Sequence, residues 1–391
     1  MFGSYGEEVA TSRHFNLQLY LRQQPVMLAV LSILVVMFFL FVSVLSRVYY
    51  SQRQALGTRW FNRGVADLNA GRFSPAVVEF RTALLYSRDE YAYQLNLAEA
   101  LVGLKHTGEA SAYLLNLWDR EPDNGLVNLE LARIAAQQGQ IKEATRYYHD
   151  AVYAAWPTGQ ESKRRDARLE LIELLLRTND RAQAEAELIA LSENVGDEPA
   201  EQERLGDLFL RAQDYERALS AYRTSLKSDK HNEGDLAGAG YAAFELGRYR
   251  EAQHYLQAAI AHNPADTASA DRLKTAELVL RMDPYRRPIT SAERARIVKQ
   301  AFDIAGDRLK NCSIPRSSPT TASDAAPVTL NDEWAAARPK VSEQRLRENS
   351  DLVDSTMDLV FRIERQAGIL CGTPTGADLA LLLIAKSHEG M

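Results

Sequence analysis

Hydrophobic and polar positions follow two regimes along this chain. In the first, residues 26–45 read VMLAVLSILVVMFFLFVSVL, twenty positions with two serines and no charge. A bilayer core of about 30 Å needs about 20 apolar helical residues at 1.5 Å of rise each. The segment therefore predicts a single membrane-spanning helix behind an N-terminal tail, residues 1–25. A buried core helix and a cleaved signal peptide pass similar tests. A signal peptide, however, has an apolar stretch of only about 7–15 residues and a small-x-small exit. This stretch is longer and leads into Arg47-Val48-Tyr49-Tyr50, so we read an uncleaved anchor. No proline lies between Val26 and Ser74, and the helix is expected to continue through Gly57.

In the second regime the apolar positions recur at helical spacing, and the whole pattern repeats every 34 residues. Six blocks share one register: 57–90, 91–124, 125–158, 165–198, 199–232 and 233–266. Position 8 is Gly64, Ala98, Ala132, Ile172, Gly206 and Gly240. Position 20 is Ala76, Ala110, Ala144, Ala184, Ala218 and Ala252. Position 24 is large and apolar: Phe80, Leu114, Tyr148, Leu188, Tyr222 and Leu256. Near position 15 stand Gly71, Gly139, Asn179 and Gly247, residue types that end helices in the left-handed conformation. Each block thus reads as two antiparallel helices, with small residues at the crossing and a bulky one filling the gap beside it.

Trp60 at position 4, the small residues at 8 and 20, the large residue at 24, and Pro122 and Pro264 at 32 resemble the tetratricopeptide repeat family. The resemblance spans residues 57–266 and implies an α-solenoid whose first helices line a protein-binding groove. Family groove positions fall on Phe61, Val65, Leu68, Leu95, Val102, Leu126, Leu129 and Arg133 in the first three blocks. Further along they fall on Glu173, Arg177, Glu203, Asp207, Arg211, Tyr241 and Phe244. The chaperone-tail subfamily holds a peptide carboxylate with Lys and Asn at positions 5 and 9. Phe61 and Val65 stand at that first pair, so no such clamp is expected. The layout also resembles bacterial N-terminally anchored repeat proteins of the cell envelope. One group of these ends in a four-cysteine metal module, which two cysteines cannot supply.

Beyond Asp266 the pattern fades. Residues 267–282 predict a capping helix with Leu273, Ala276 and Leu280 on one face. The remainder, 290–391, reads as a small helical bundle. Helices are expected at 291–310, 342–366 and 375–386, with a linker at 313–341 that opens on SIPRSSPTTASDAAP. The last helix is strongly apolar but too short to span a bilayer, and is expected to pack on the other two. The fold class is all-α: one transmembrane helix, a repeat solenoid and a C-terminal bundle.

Composition narrows the function. A formal charge of −6 and pI near 5.8 call for no polyanionic partner, and nucleic acid is not expected. Gly238-Ala-Gly240-Tyr-Ala-Ala243 mimics a dinucleotide fingerprint, but that motif needs a preceding strand, and here Gly240 is a position-8 residue. Gly103 to Gly108 has P-loop spacing with Glu109 where lysine is required. The seven histidines form no metal or catalytic motif. No enzyme, cofactor or metal is expected. The chain reads as an interaction scaffold of the bacterial envelope, with protein partners in the groove and the bilayer held by residues 26–45. The alternative is that the repeats deliver an enzymatic or ligand-binding activity housed in the C-terminal helices.

Cys312 and Cys371 each follow a helical segment, and two helix ends can meet at disulfide distance. They are read as a bonded pair or as two separate buried thiols. Orientation is divided in the same way. Four arginines after the anchor (47, 53, 59, 63) outnumber Arg13 and Arg22 before it and favour a cytoplasmic domain. A disulfide favours the periplasm, to which we incline.

Overall fold

The computed structural model describes residues 17–312 and 325–389. The expected tail and the first half of the expected linker lie largely outside them. Among the described residues there are eighteen helices and no strand beyond an isolated bridge between Asn124 and Ala155. They fall into two compact units that divide between Ala167 and Arg168.

The first unit begins with α1, Leu17–Asn69, which is unbroken for 53 residues. Its segment 27–45 is apolar, and the large residues there stand exposed: Phe38 and Phe39 are both 69% accessible. The continuity expected from the missing proline is present. Helices α2 (Phe73–Tyr86), α3 (Tyr91–Gly103), α4 (Thr107–Arg120), α5 (Gly125–Gln137) and α6 (Ile141–Tyr153) follow as antiparallel pairs. One apolar core, from Ala76 to Ile134, runs through them. Helix α7, Glu161–Arg177, carries the division between the units.

The second unit continues with α8 (Arg181–Ser192), α9 (Pro199–Ala212), α10 (Tyr215–Ser225), α11 (Glu233–Glu245), α12 (Tyr249–His262) and α13 (Thr267–Met282). The six position-20 alanines, in both units, have no accessible surface at all. The position-8 glycines meet their own position-24 partners. A Cβ on Gly64 would come within 2.6 Å of the Phe80 ring, and one on Gly240 within 2.7 Å of Leu256. The turns between paired helices share one conformation. Gly71, Lys105, Gly139, Asn179, Gln213 and Gly247 all have φ between 61° and 72°. Only four of these six carry the residue types that announce such a turn. Helix starts are fixed by side-chain caps: Asp180, Asp214, Asn232 and Asp266 each accept a backbone N–H from the first turn.

After α13 come α14 (Ser291–Cys312), α15 (Ala325–Ala337), α16 (Glu343–Glu348), α17 (Ser350–Cys371) and α18 (Gly376–Glu389). Three expectations need correction here. The 313–341 segment contains a helix, α15, where a linker is expected. Trp334 holds it down by stacking on Phe302 at 5.3 Å, donating Nε1–H to the Phe302 carbonyl at 3.0 Å, and lying on Gly306. The helix expected from Ser342 is two, because Asn349 has extended backbone and caps a new start by accepting from Leu352 N. The C-terminal helices are also not a separate bundle. Their core includes Tyr249 of α12 and Ala276, Val279 and Met282 of α13, and α18 packs on α13 as well as on α14 and α17.

Candidate functional site

The residues matched to groove positions behave in three ways. Leu95, Val102 and Leu129 are buried, with 7%, 8% and 2% of their surface accessible. They are core residues, not groove lining, and the expectation is corrected. Helix α3 is flanked by two further first helices, α1 and α5, and touches both, while α5 packs on α3, α4 and α6. Phe61, Val65 and Leu68 lie on α1, which has a repeat on one side only, and they remain half-buried. Phe61 is stacked on Tyr93, centroids 4.7 Å apart, and tilted against Phe80.

Two of the charged positions of the second unit, Glu173 and Arg211, are engaged with each other. Arg211 on α9 reaches across to α7 and donates two hydrogen bonds to the Glu173 carboxylate, at 2.9 and 2.7 Å. That contact holds the Glu173 carboxyl below the usual range. Asp207 accepts the hydroxyl of Tyr222 at 2.6 Å. Arg177 is exposed. In the first unit, Arg133 donates to the buried Glu130 at 2.6 Å.

Tyr241 and Phe244 on α11 separate. Phe244 packs edge-on to Tyr249 at 5.5 Å and joins the core. Tyr241 is half-buried, with the Arg272 guanidinium 4.3 Å above its ring and Tyr215 edge-on at 6.1 Å. This Tyr215–Tyr241–Arg272 cluster escapes sequence reading, because Tyr215 and Arg272 lie outside the family's groove positions. A second surface also escapes it: an open cleft of about 940 Å³ in the first unit, lined by Arg53, Arg81, Leu85, Arg88, Glu109 and Tyr113. Its parts come from α1, α2, the loop after α2, α3 and α4, and carry no motif.

Cys312 and Cys371 are joined in a disulfide, Cα atoms 5.8 Å apart, between the ends of α14 and α17. The dinucleotide-like glycines are packing residues in α11. Cβ atoms there would strike Tyr222 from Gly238 and Leu256 from Gly240. Among the described residues no three His, Cys, Asp or Glu side chains converge as a metal site.

No curated protein matches the sequence. Solved structures similar to this chain include YrrB, described as a TPR protein with an unusual peptide-binding site, at 16% identity and TM-score 0.41, covering 49% of this chain and 95% of that one. Another is PilF of Pseudomonas aeruginosa, at 16% identity and TM-score 0.42, covering 56% and 97%. A third is the TPR2AB domain of yeast Sti1 in complex with an Hsp90 peptide, at 18% identity and TM-score 0.28, covering 72% and 98%. The tetratricopeptide repeat family model matches residues 169–233 and 238–274, so tetratricopeptide repeats are present in that segment.

Proposed function

We propose that this protein is a membrane-anchored interaction scaffold of the bacterial envelope. Residues 26–45 hold it in the inner membrane, and its repeats bind a peptide or helix of a membrane or envelope protein. The observation that carries the reading is α1, whose exposed apolar segment runs without a break into the first helical hairpin. Anchoring there confines the repeats to the membrane surface and raises the local concentration of membrane partners.

The binding residues in this reading are Phe61, Val65 and Leu68 in the first unit. In the second unit they are Arg177, Arg211, Asp207, Glu173 and Tyr241. A partner there meets an aromatic ring already backed by Arg272 and a preformed Glu173–Arg211 pair, so an ordered rather than a mobile surface. The Cys312–Cys371 bond supports a periplasmic location.

The test is in two parts. Alkaline carbonate should leave the full chain in the membrane pellet, and alkaline phosphatase fused after Met391 should be active. A photo-cross-linker at Tyr241 should then capture a discrete partner that the same group at buried Ala218 does not. Equal cross-linking from both sites would overturn the assigned face, and extraction by carbonate would overturn the anchor.

A further inference from the structure

His231 and His262 lie 31 positions apart on different helical pairs, and their rings meet. His231 sits in the loop between α10 and α11. His262 is the last residue of α12. Nδ1 of His231 and Nε2 of His262 are 3.2 Å apart and share one proton in a hydrogen bond, which a metal ion would displace; both side chains are exposed. The rings are tilted edge-to-face at 62°, centroids 5.1 Å apart, so neither nitrogen is masked by stacking.

That separation has a metrical meaning. A borderline transition-metal ion binds imidazole nitrogen at about 2.0–2.1 Å. Two such bonds to nitrogens 3.2 Å apart enclose an angle of about 103° at the metal, near the tetrahedral value and well above a right angle. An imidazole pair selects Zn²⁺, Co²⁺, Ni²⁺ or Cu²⁺ over oxygen-seeking Mg²⁺ and Ca²⁺, and the angle favours four-coordination.

The surroundings suit a cation. His262 closes α12, where the helix presents its negative end. Asp229 is held in the same loop by accepting the His231 backbone N–H at 2.9 Å. Glu233 is fixed on the other side by Asn263, next to His262. Lys227 and Lys230 on the loop oppose these carboxylates, so the imidazoles carry the affinity.

We propose that His231 and His262 form a two-histidine site for a divalent transition-metal ion, Zn²⁺ foremost, with water completing its shell. The ion would clip the α9–α10 pair to the α11–α12 pair at their loop ends. The histidines are 31 positions apart, three short of the 34-residue period, so no sequence motif of metal-binding spacing announces them.

The test uses the full chain in detergent micelles, stripped with chelator and titrated with ZnCl₂ or CoCl₂ alone. We expect one saturable Zn²⁺ per chain and a melting temperature raised by several degrees. Co²⁺ should give the intense visible absorption of a four-coordinate ion. His231→Ala and His262→Ala should each abolish the shift and the spectrum, while His106→Ala, a histidine elsewhere on the surface, should leave both intact. Both site residues are exposed, so the variants should fold as the parent does, which far-ultraviolet circular dichroism checks. Absence of saturable binding overturns the proposal, and so does binding that survives either variant or a six-coordinate Co²⁺ spectrum.

Discussion

Gly206 on α9 lies against the ring of Tyr222 on α10: a Cβ placed there would come within 2.7 Å of Cε1. Gly238 on α11 also approaches the same ring, with a Cβ at 2.4 Å from Cζ. Tyr222 thus lies against two glycines while its hydroxyl donates to Asp207. Gly206→Ala or Gly238→Ala should destabilise the second unit by about 1–3 kcal/mol, the usual cost of overpacking. Gly108, near the start of α4, has no atom within 4 Å of such a Cβ, and Gly108→Ala should be neutral or stabilise by up to about 1 kcal/mol. Chemical denaturation of the three variants decides between packing and a generic cost of losing glycine.

Lys105 and Gln213 adopt φ of 62° and 66° in turns where other pairs use glycine. A non-glycine residue in that region is held at a cost of roughly 1 kcal/mol. Lys105→Gly should therefore stabilise by up to about 0.5 kcal/mol, net of the extra chain entropy glycine loses on folding. Gly71→Ala, at φ 71°, should destabilise by a similar amount although nothing crowds its Cβ. Melting curves showing no difference between the two changes would contradict this account.

Much of the fold is legible in the residues because it depends on size at fixed positions. Six alanines at position 20 are small for a steric reason, and all six are fully buried. The groove is less legible. Leu95, Val102 and Leu129 stand at family groove positions, but the helices packed on α3 and α5 bury them, and a one-dimensional pattern does not count neighbours. Helix α15 is hidden for another reason: the Ser- and Pro-rich run before it reads as linker, and only Trp334 finding Gly306 reveals the contact. The Glu173–Arg211 pair joins residues 38 apart through a choice of rotamers that no spacing encodes.

Glu364 on α17 is fully buried, and neither carboxylate oxygen has a hydrogen-bond partner. Burial pushes its carboxyl up to about 8; Asp378 adds to the rise and Arg308 opposes it. The folded state therefore keeps a proton that the unfolded chain releases near its ordinary value of 4.5. Stability from this group is fully present below pH 4.5 and declines as pH rises to about 8. Glu364→Gln should flatten that decline and stabilise the second unit at pH 8 by a few kcal/mol. Denaturation at pH 5, 7 and 8.5 measures it; parallel parent and variant profiles would refute the assignment.

The Cys312–Cys371 bond spans a sequence separation of 59 and closes a segment that contains α15, α16 and α17. In the chain-entropy account a loop of that length stabilises by about 4 kcal/mol. Reduction, or Cys312→Ser with Cys371→Ser, should lower the melting point of the second unit and speed proteolysis within the closed segment. The first unit should be unaffected, which two-step unfolding would display.

The Glu173–Arg211 pair is about half exposed, with side chains 41% and 46% accessible. Its coupling energy in a double-mutant cycle should fall within about 0.2–1 kcal/mol and shrink in high salt. The pair's larger effect should be on partner capture, since either single change leaves an unmatched charge on the proposed binding face.

Helix α1 also sets a geometry. Between residue 46 and its end at Asn69 it rises about 36 Å with no break. Under the proposed anchoring, the first repeats stand at a set height and compass heading above the bilayer, like a vane on a mast. One residue inserted before Gly57 would turn everything built on α1 through about 100° and lift it 1.5 Å, leaving every contact within the repeats unchanged. Four inserted residues would nearly restore the heading at about 6 Å greater height. A partner embedded in the same membrane would feel those two changes very differently, whereas one arriving from solution would feel neither.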